Sequence, residues 1–204
     1  MIPVLDTPAY ALTLVALLAY LLGAVPFGIV MAKLFGLGDL RKIGSGNIGA
    51  TNVLRTGNKT AAALTLILDA GKAGMAVLLA RAIVGEEDAA QIAGFAAFFG
   101  HCFPVYMRFR GGKGVATFFG TLFALWWPLG VAAGATWLVV AGVTRYSSLS
   151  AVLSAALSPL WAYLLGWPEA AVLCALLAAV IIIRHHENLH RLRTGTEPRI
   201  GRKS

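Results

Sequence analysis

Gly44-Ser45-Gly46-Asn47-Ile48-Gly49-Ala50-Thr51-Asn52-Val53-Leu54-Arg55 is a polar, glycine-rich stretch between two long apolar segments. Its glycines let the backbone take left-handed angles and approach a ligand closely. Consecutive backbone N–H groups in such a turn form a concave anion site, to which Ser45, Thr51 and Asn52 can add donors and Arg55 a planar guanidinium. A flexible polar connector between two membrane spans is the alternative, although a connector does not need this mixture of glycine and donors. The stretch therefore predicts an anion-binding loop between membrane helices.

A second stretch, Gly111-Gly112-Lys113-Gly114-Val115-Ala116-Thr117, repeats the pattern later in the chain. Neither stretch is a Walker loop, because that motif needs four residues between its first glycine and a Gly-Lys-Ser/Thr end. The prediction of phosphate binding therefore depends on the chemistry of these residues and not on a known motif.

Composition places the chain in a membrane. Of its 204 residues, 58% are apolar and only 13% are charged, which excludes an ordinary soluble domain. Several apolar runs approach the roughly 18–20 residues that cross a bilayer as a helix. The first run begins almost at Met1 without a basic leader, so we expect a retained span and not a signal peptide. Cys102 and Cys174 lie in separate apolar segments without metal-ligand spacing.

We predict an all-α integral membrane protein with seven transmembrane helices, forming a single domain over residues 1–204 with a basic tail from about 184. The spans lie at about 9–33, 60–83 and 89–106, then two short ones within 115–144, one that runs to about 165 and one that ends near 183. Pro26 and Gly28 predict a kink near the inner end of the first span. Trp126-Trp127-Pro128-Leu129-Gly130 predicts the break between the fourth and fifth spans, since tryptophan favours the interface and proline can end a helix.

Basic residues concentrate on one side of this predicted topology. The loops after spans one, three and five, together with the tail, hold 15 of the 17 lysines and arginines, whereas the other side carries acidic residues. Because cytoplasmic loops carry the excess of Lys and Arg, the N-terminus is predicted outside and the C-terminus in the cytoplasm. A five-span model would leave apolar segments unspanned or break this alternation. Anionic lipid headgroups explain part of the charge, but not the glycines and polar donors interleaved with it.

Polar residues inside the predicted spans have structural and functional interpretations. Asp69 and Lys72 are three residues apart and share a helix face, where pairing would lower the cost of burying each charge in hydrocarbon. A neutralising structural pair and a functional pair are equally good interpretations. His101 favours a hydrogen bond between helices. Ser147 and Ser148 follow a basic residue, where a helix N-cap would account for either.

The basic tail, Arg184-His185-His186-Glu187-Asn188-Leu189-His190-Arg191-Leu192-Arg193, would place Arg184, Asn188 and Arg191 along one face if it stayed helical. His186 and His190 have metal-ligand spacing, but no His-Glu-x-x-His motif or cysteine supports a metal site, and we predict none. The sequence has no Gly-x-Ser-x-Gly elbow, no His-x-x-x-x-Asp pair and no cysteine in an electropositive stretch. What remains is a set of phosphate-binding groups on the cytoplasmic side.

Three segments in this order, 44–52, 111–117 and 184–192, resemble the signature regions of the bacterial acyl-phosphate:glycerol-3-phosphate acyltransferase family, PlsY. The resemblance covers nearly the whole chain, including Asp69-x-x-Lys72 and Gly100-His101-Cys102-Phe103-Pro104. It implies transfer of a fatty acyl group from acyl-phosphate to the 1-hydroxyl of glycerol 3-phosphate, giving lysophosphatidic acid and phosphate. It also implies no cofactor, no metal and no nucleic-acid partner, with membrane lipids around a monomer in the bacterial cytoplasmic (inner) membrane.

The resemblance also implies a set of site residues. The catalytic residues are expected to be Ser45, Arg55, Lys113 and His185. The substrate-binding residues are expected to be Gly46, Asn47, Gly49, Thr51, Asn52, Gly112, Gly114, Thr117, Ser148, Asn188 and Arg191. Within these sets the first loop resembles the acyl-phosphate cradle, while Arg55, Lys113, Ser148, His185, Asn188 and Arg191 resemble the contacts to glycerol 3-phosphate and the transition state.

Two other functions are compatible with parts of this pattern. A transporter for a phosphorylated metabolite would also use a basic vestibule and glycine-broken helices, although of the ionisable residues only Asp69 and Lys72 lie at mid-membrane. A non-enzymatic lipid-binding scaffold would leave the donor-rich loops unexplained.

Overall fold

Helices make up all the regular structure of residues 5–201, the part of the chain that the computed structural model describes. Residues 5–125 form one compact unit and residues 126–201 another. The first unit contains six α-helices: α1 Ala9–Gly23, α2 Phe27–Leu34, α3 Ala50–Leu54, α4 Lys59–Val84, α5 Glu87–Cys102 and α6 Val115–Leu125. The second contains four: α7 Trp127–Thr144, α8 Ser147–Leu164, α9 Ala171–Arg184 and α10 His186–Arg193.

Small residues bring the helices of the first unit close together. A Cβ on Gly23 of α1 would overlap the backbone of Ala97 in α5, and one on Gly120 of α6 would overlap the carbonyl of Ala70 in α4. A cluster of buried alanines fills the centre of the unit: Ala19, Ala73, Ala76, Ala80, Ala93 and Ala97. This is the packing expected of membrane helices, in which small side chains let backbones approach. At the end of the unit, the Arg81 guanidinium donates to the carbonyls of Ala124 and Leu125 and so caps α6.

Polar contacts join the helices of the second unit. Ser154 of α8 donates to the Ala133 carbonyl of α7 at 2.6 Å, and Trp161 Nε1 of α8 donates to Thr136 Oγ1 of α7 at 3.0 Å. α9 also packs against α8. At His185 the chain bends by 63°, so that α10 leaves the direction of α9.

Four helical stretches of residues 5–201 are long and apolar enough to cross a membrane: Ala9–Leu34, Lys59–Val84, Trp127–Thr144 and Ser147–Leu164. The bent pair Pro168–Arg184 and His186–Arg193 makes a fifth if it counts as one span. The predicted spans at 89–106 and at the start of 115–144 correspond to helices of 16 and 11 residues, α5 and α6, which are shorter.

The predicted breaks are found, with one change in their cause. The first span is interrupted between Gly23 and Phe27, at Pro26, and the chain also breaks at Trp126 between α6 and α7. Gly28 lies inside α2, where a Cβ would overlap the Ile48 carbonyl, so this glycine admits the first loop and does not form the kink.

Candidate active site

The first glycine-rich loop is held in shape by the side chain of Asn52. This buried amide accepts from the Ser45 N–H at 3.2 Å and donates to the Leu40 carbonyl at 2.9 Å, and so ties the start of the loop to its end. Before the loop, the Asp39 carboxylate accepts two hydrogen bonds from the Arg41 guanidinium, which lower the Asp39 pKa. Both of these bonds shape the backbone, and the predicted contact of Asn52 with substrate stays a prediction.

Arg55 lies beside the opening of this loop. A Cβ on Gly44 would come within 2.7 Å of Arg55 Cδ and 2.8 Å of its Nη1, and Gly44 has a φ of +53°, so only glycine leaves room for the guanidinium there. Ser45, Thr51 and Arg55 are exposed, while the intervening Ile48 and Val53 are buried against the helices. The loop therefore exposes one cation and two hydroxyls, while its buried residues anchor it to the helices. Between them, Gly46, Asn47, Gly49 and Ala50 are half-buried.

The second loop packs its backbone against the end of α5. The Gly112 N–H donates to the His101 carbonyl at 3.0 Å, and a Cβ on Gly112 would overlap the His101 imidazole. Gly114, at a φ of +83°, lies against the ring of Phe98, where a side chain would also overlap. Thr117 is fully buried and donates to the Gly114 carbonyl at 2.8 Å, which closes the first turn of α6. These contacts fix the position of the half-buried Lys113 between two anchored glycines.

A buried polar network between α4 and α5 contacts this second loop through His101. Lys72 Nζ lies 2.8 Å from Asp69 Oδ1, 2.7 Å from the Val25 carbonyl and 3.0 Å from His101 Nδ1. The ammonium thus donates to the Val25 carbonyl, pairs with the Asp69 carboxylate as an ion pair and lies within hydrogen-bond distance of the His101 ring, which is itself 3.5 Å from Asp69 Oδ1. The predicted Asp69–Lys72 pair and the predicted bond between helices at His101 are both confirmed, and they form one network that ends at Gly112.

In the second unit, Ser148, Asn188 and Arg191 converge on one carboxylate that the sequence analysis did not single out. Glu197 Oε1 accepts from Ser148 Oγ and from Asn188 Nδ2, each at 2.6 Å, and Glu197 Oε2 accepts from Arg191 Nε at 2.7 Å. Burial opposes ionisation of this carboxyl, but the three hydrogen bonds outweigh it and lower the Glu197 pKa. We call these four residues the tail cluster.

Two sequence interpretations of this region are wrong. α8 begins at Ser147 with no side-chain cap, so Ser148 is not an N-cap, and its hydroxyl proton is directed to Glu197. The tail is not one helix either, because α9 ends at Arg184 and α10 begins after the bend. Arg184 therefore does not continue the face of Asn188 and Arg191. His185, at the bend, is buried and its Nδ1 donates to the Ile181 carbonyl at 2.8 Å, so in the neutral ring Nε2 carries the lone pair.

Comparison with known proteins decides the family. Residues 13–195 match the family model described as glycerol-3-phosphate acyltransferase. The chain is 66% identical over 204 residues, the full length of both proteins, to a glycerol-3-phosphate acyltransferase of Jannaschia sp. (strain CCS1). It is also 66% identical over 201 residues, 98% of both proteins, to the one of Dinoroseobacter shibae.

The chain belongs to the glycerol-3-phosphate acyltransferase family.

Solved structures of this acyltransferase family have the same fold. The crystal structure of PlsY in its glycerol 3-phosphate form, described as an integral membrane glycerol 3-phosphate acyltransferase, superposes with a TM-score of 0.87 at 38% identity. That match covers 93% of this chain and 96% of the other. The lysophosphatidic acid form superposes with a TM-score of 0.84 at 35% identity, covering 93% and 95%. This chain is therefore an integral membrane acyltransferase built of helices.

Glu197 is the residue of the tail cluster that sequence reasoning missed. It lies six residues after Arg191 in the basic tail, where a carboxylate opposes phosphate binding when charge alone is counted. The available signal was that Glu197 is the last acidic residue of a strongly basic segment.

Proposed function

We propose that this chain transfers a fatty acyl group from acyl-phosphate to the 1-hydroxyl of glycerol 3-phosphate, giving lysophosphatidic acid and inorganic phosphate. The observation that carries the proposal is the family match over residues 13–195. Two related structures, described as the glycerol 3-phosphate and lysophosphatidic acid forms of PlsY, agree with this acceptor and this product. The acyl-phosphate donor is supported by the loops, whose glycines and cations suit a second phosphate-bearing molecule.

We assign the substrates to the loops as follows. Ser45, with the backbone and side chains of the rest of the first loop, binds the phosphate of the acyl donor. Arg55 and Lys113 neutralise charge on the two phosphates, while glycerol 3-phosphate is contacted by His185 and by the three donors of the tail cluster, Ser148, Asn188 and Arg191. Binding by these loops is supported by the contacts that hold Asn52, Gly112 and Thr117 in place. Donors that are fixed before binding lose little entropy when the substrate arrives.

Electrostatics explains why several cations are needed. Two unit negative charges at about 4 Å repel by about 4 kcal/mol at the effective dielectric near a protein surface, so two anionic substrates do not come together unaided. Acyl-phosphate is already activated and has a good leaving group, so the reaction needs no covalent enzyme intermediate. The carbonyl carbon is attacked by the acceptor hydroxyl, the bond to phosphate breaks, and fixed donors stabilise the negative charge that develops.

The attacking hydroxyl must also lose its proton. A substrate phosphate oxygen accepts it, directly or with the help of His185 through Nε2. Lys113→Ala should then abolish turnover, because it removes a cation needed in the transition state, whereas His185→Ala should retain a measurable fraction. Complete inactivation of His185→Ala with both substrates still bound would instead identify the histidine as the base.

The test is phosphate release by detergent-purified protein given palmitoyl-phosphate and glycerol 3-phosphate. Release that requires both substrates and yields lysophosphatidic acid supports the proposal, and replacement of palmitoyl-phosphate by palmitoyl-CoA tests the donor. Glycerol 3-phosphate flux into sealed vesicles without acyl product would favour a transporter. Binding of both compounds with neither turnover nor flux would leave a lipid-binding scaffold.

We further infer seven spans in a single-domain monomer of the bacterial cytoplasmic membrane, with the N-terminus outside. Placement of 15 of the 17 lysines and arginines in alternate loops and the tail supports this topology, and the bacterial relatives support the location. Exposed Glu86 and Arg193 would then lie on opposite sides. A membrane-impermeant maleimide should label Glu86→Cys on intact cells, and Arg193→Cys only after permeabilisation. The opposite result would invert the topology.

A further inference from the structure

The tail cluster holds three of the predicted substrate-binding residues on one acidic side chain. Glu197 is only 8% exposed, and its two carboxylate oxygens accept from Ser148 of α8 and from Asn188 and Arg191 of α10 at 2.6–2.7 Å. Bonds this short between a carboxylate and a cation or polar donor are strong and directional. One carboxylate thus fixes the relative position of two helix ends.

Two of the three donors, Arg191 and Ser148, keep capacity for a second partner. Arg191 bonds Glu197 Oε2 through Nε alone, and its Nη1 lies 3.9 Å from the exposed Glu187 carboxylate, so the guanidinium is held in a fixed plane and its Nη groups make no shorter contact with a carboxylate of residues 5–201. Ser148 spends its one hydroxyl proton on Glu197 and is an acceptor toward any other group. The Glu197 carboxylate therefore orients these side chains while bonding only one of the three guanidinium nitrogens of Arg191.

The backbone around Glu197 is anchored and does not form a swinging tail. The N–H groups of Thr196 and Glu197 both donate to the Arg191 carbonyl, at 2.8 and 3.2 Å, which closes the end of α10. Farther on, the Ile200 N–H donates to the Arg145 carbonyl at 2.7 Å and the Arg145 guanidinium donates back to the Ile200 carbonyl at 2.9 Å. A carboxylate fixed on both sides is poorly suited to step aside for a substrate phosphate.

From this geometry we propose that Glu197 is a positioning residue for glycerol 3-phosphate: its buried carboxylate holds Ser148, Asn188 and Arg191 in the arrangement that binds this substrate. The inference rests on the proposed function. Glu197 touches no reacting atom and acts through the three residues that it orients. Its loss should therefore weaken binding of glycerol 3-phosphate and leave the acyl-phosphate loop intact.

The test is Glu197→Gln, which keeps the size of the side chain and removes its charge. Its matched control is Glu187→Gln, which removes an exposed carboxylate 3.9 Å from the other side of the same arginine. KM for glycerol 3-phosphate should rise at least tenfold in Glu197→Gln and less than twofold in Glu187→Gln. KM for palmitoyl-phosphate should stay within twofold in both variants, and Glu197→Asp should restore part of the loss.

Two other outcomes would overturn the proposal. A lower KM for glycerol 3-phosphate in Glu197→Gln would show that the carboxylate competes with the substrate phosphate for the same donors. Equal loss for both substrates, or a lower unfolding temperature with unchanged KM values, would show a purely structural contact. Calorimetric binding of glycerol 3-phosphate to both proteins without the acyl donor separates this result from failure of the proposed function, because it needs no turnover.

Discussion

Removal of the ammonium of Lys72 tests how the second loop is supported. Lys72→Met keeps a long side chain in α4 but leaves the Asp69 carboxylate, only 3% exposed, without its counter-charge at 2.8 Å. Breaking a buried ion pair by removal of one partner costs about 3–5 kcal/mol, because the remaining charge is uncompensated. The Val25 carbonyl and His101 Nδ1 lose a donor at the same time. We therefore expect a loss of stability in the upper part of that range.

The measurement is thermal unfolding in detergent, followed by tryptophan fluorescence. At about 2–4 °C per kcal/mol for a chain of this length, a loss of about 4–5 kcal/mol in Lys72→Met should lower the midpoint by about 8–20 °C. Phosphate release at a temperature where the variant is still folded should fall as well, since the His101 ring packs directly against Gly112 of the second loop. The matched control is Lys59→Met, at the exposed first residue of the same helix, which should change the midpoint by no more than about 2 °C.

A double variant separates charge from shape. Asp69→Asn combined with Lys72→Met removes both charges, so it should recover more than half of the stability that Lys72→Met alone loses. If Lys72→Met unfolds at the wild-type temperature, the contacts of the ammonium with Asp69, the Val25 carbonyl and His101 do not stabilise the fold. If the double variant is as unstable as the two single variants added together, the cost does not come from an unpaired charge. Either result refutes the reasoning.

Gly112→Ala should lower kcat about tenfold or more, because its Cβ would overlap the His101 imidazole, whereas Gly71→Ala, in open space on α4, should leave phosphate release unchanged. Asn52→Ala should raise KM for palmitoyl-phosphate about fivefold or more, since two backbone groups of the first loop lose their partner, and Asn52→Asp should lie between. The lowered pKa of Glu197 stabilises the folded protein above the ordinary glutamate value of 4.5, and this contribution is lost as the pH falls through the folded pKa. Unfolding midpoints measured from neutral to acidic pH should therefore fall more in the wild type than in Glu197→Gln.

Long apolar runs made most of the helices predictable. The span expected at 60–83 is α4, Lys59–Val84, which Asn58 caps at its start and Gly85 ends with a φ of +89°. Local residues also explain the break at Trp126. The 63° bend at His185 could not be predicted, because no proline or glycine lies at that position. The contact that holds α10 comes from Glu197, which is nine residues after its partner Asn188 and lies outside the helix. Hydropathy identifies segments, but it does not encode contacts made beyond them.

The candidate site shows a second limit of sequence reasoning. Serine, threonine and asparagine are the residues that bind phosphate and also the residues that bond to nearby backbone, so their type does not tell which they do. Asn52 and Thr117, both predicted to contact substrate, are seen to hold the loop backbone. Lys72 and His101, considered as separate features of the sequence, act together because α4 and α5 bring them within 3.0 Å.

These observations change what the net charge of +8 means for binding. A loose cluster of cations at a membrane surface attracts any anion, including the lipid headgroups that surround it in large excess. A carboxylate that pairs with Arg191 at Nε lowers this general attraction and leaves a guanidinium fork in one orientation, which favours ligands whose phosphate fits that plane. Selectivity for a small soluble phosphate next to a bilayer is thus favoured by a carboxylate that pairs with one of the cationic side chains. For that reason we propose that the carboxylate missed by sequence reasoning positions the substrate-binding residues.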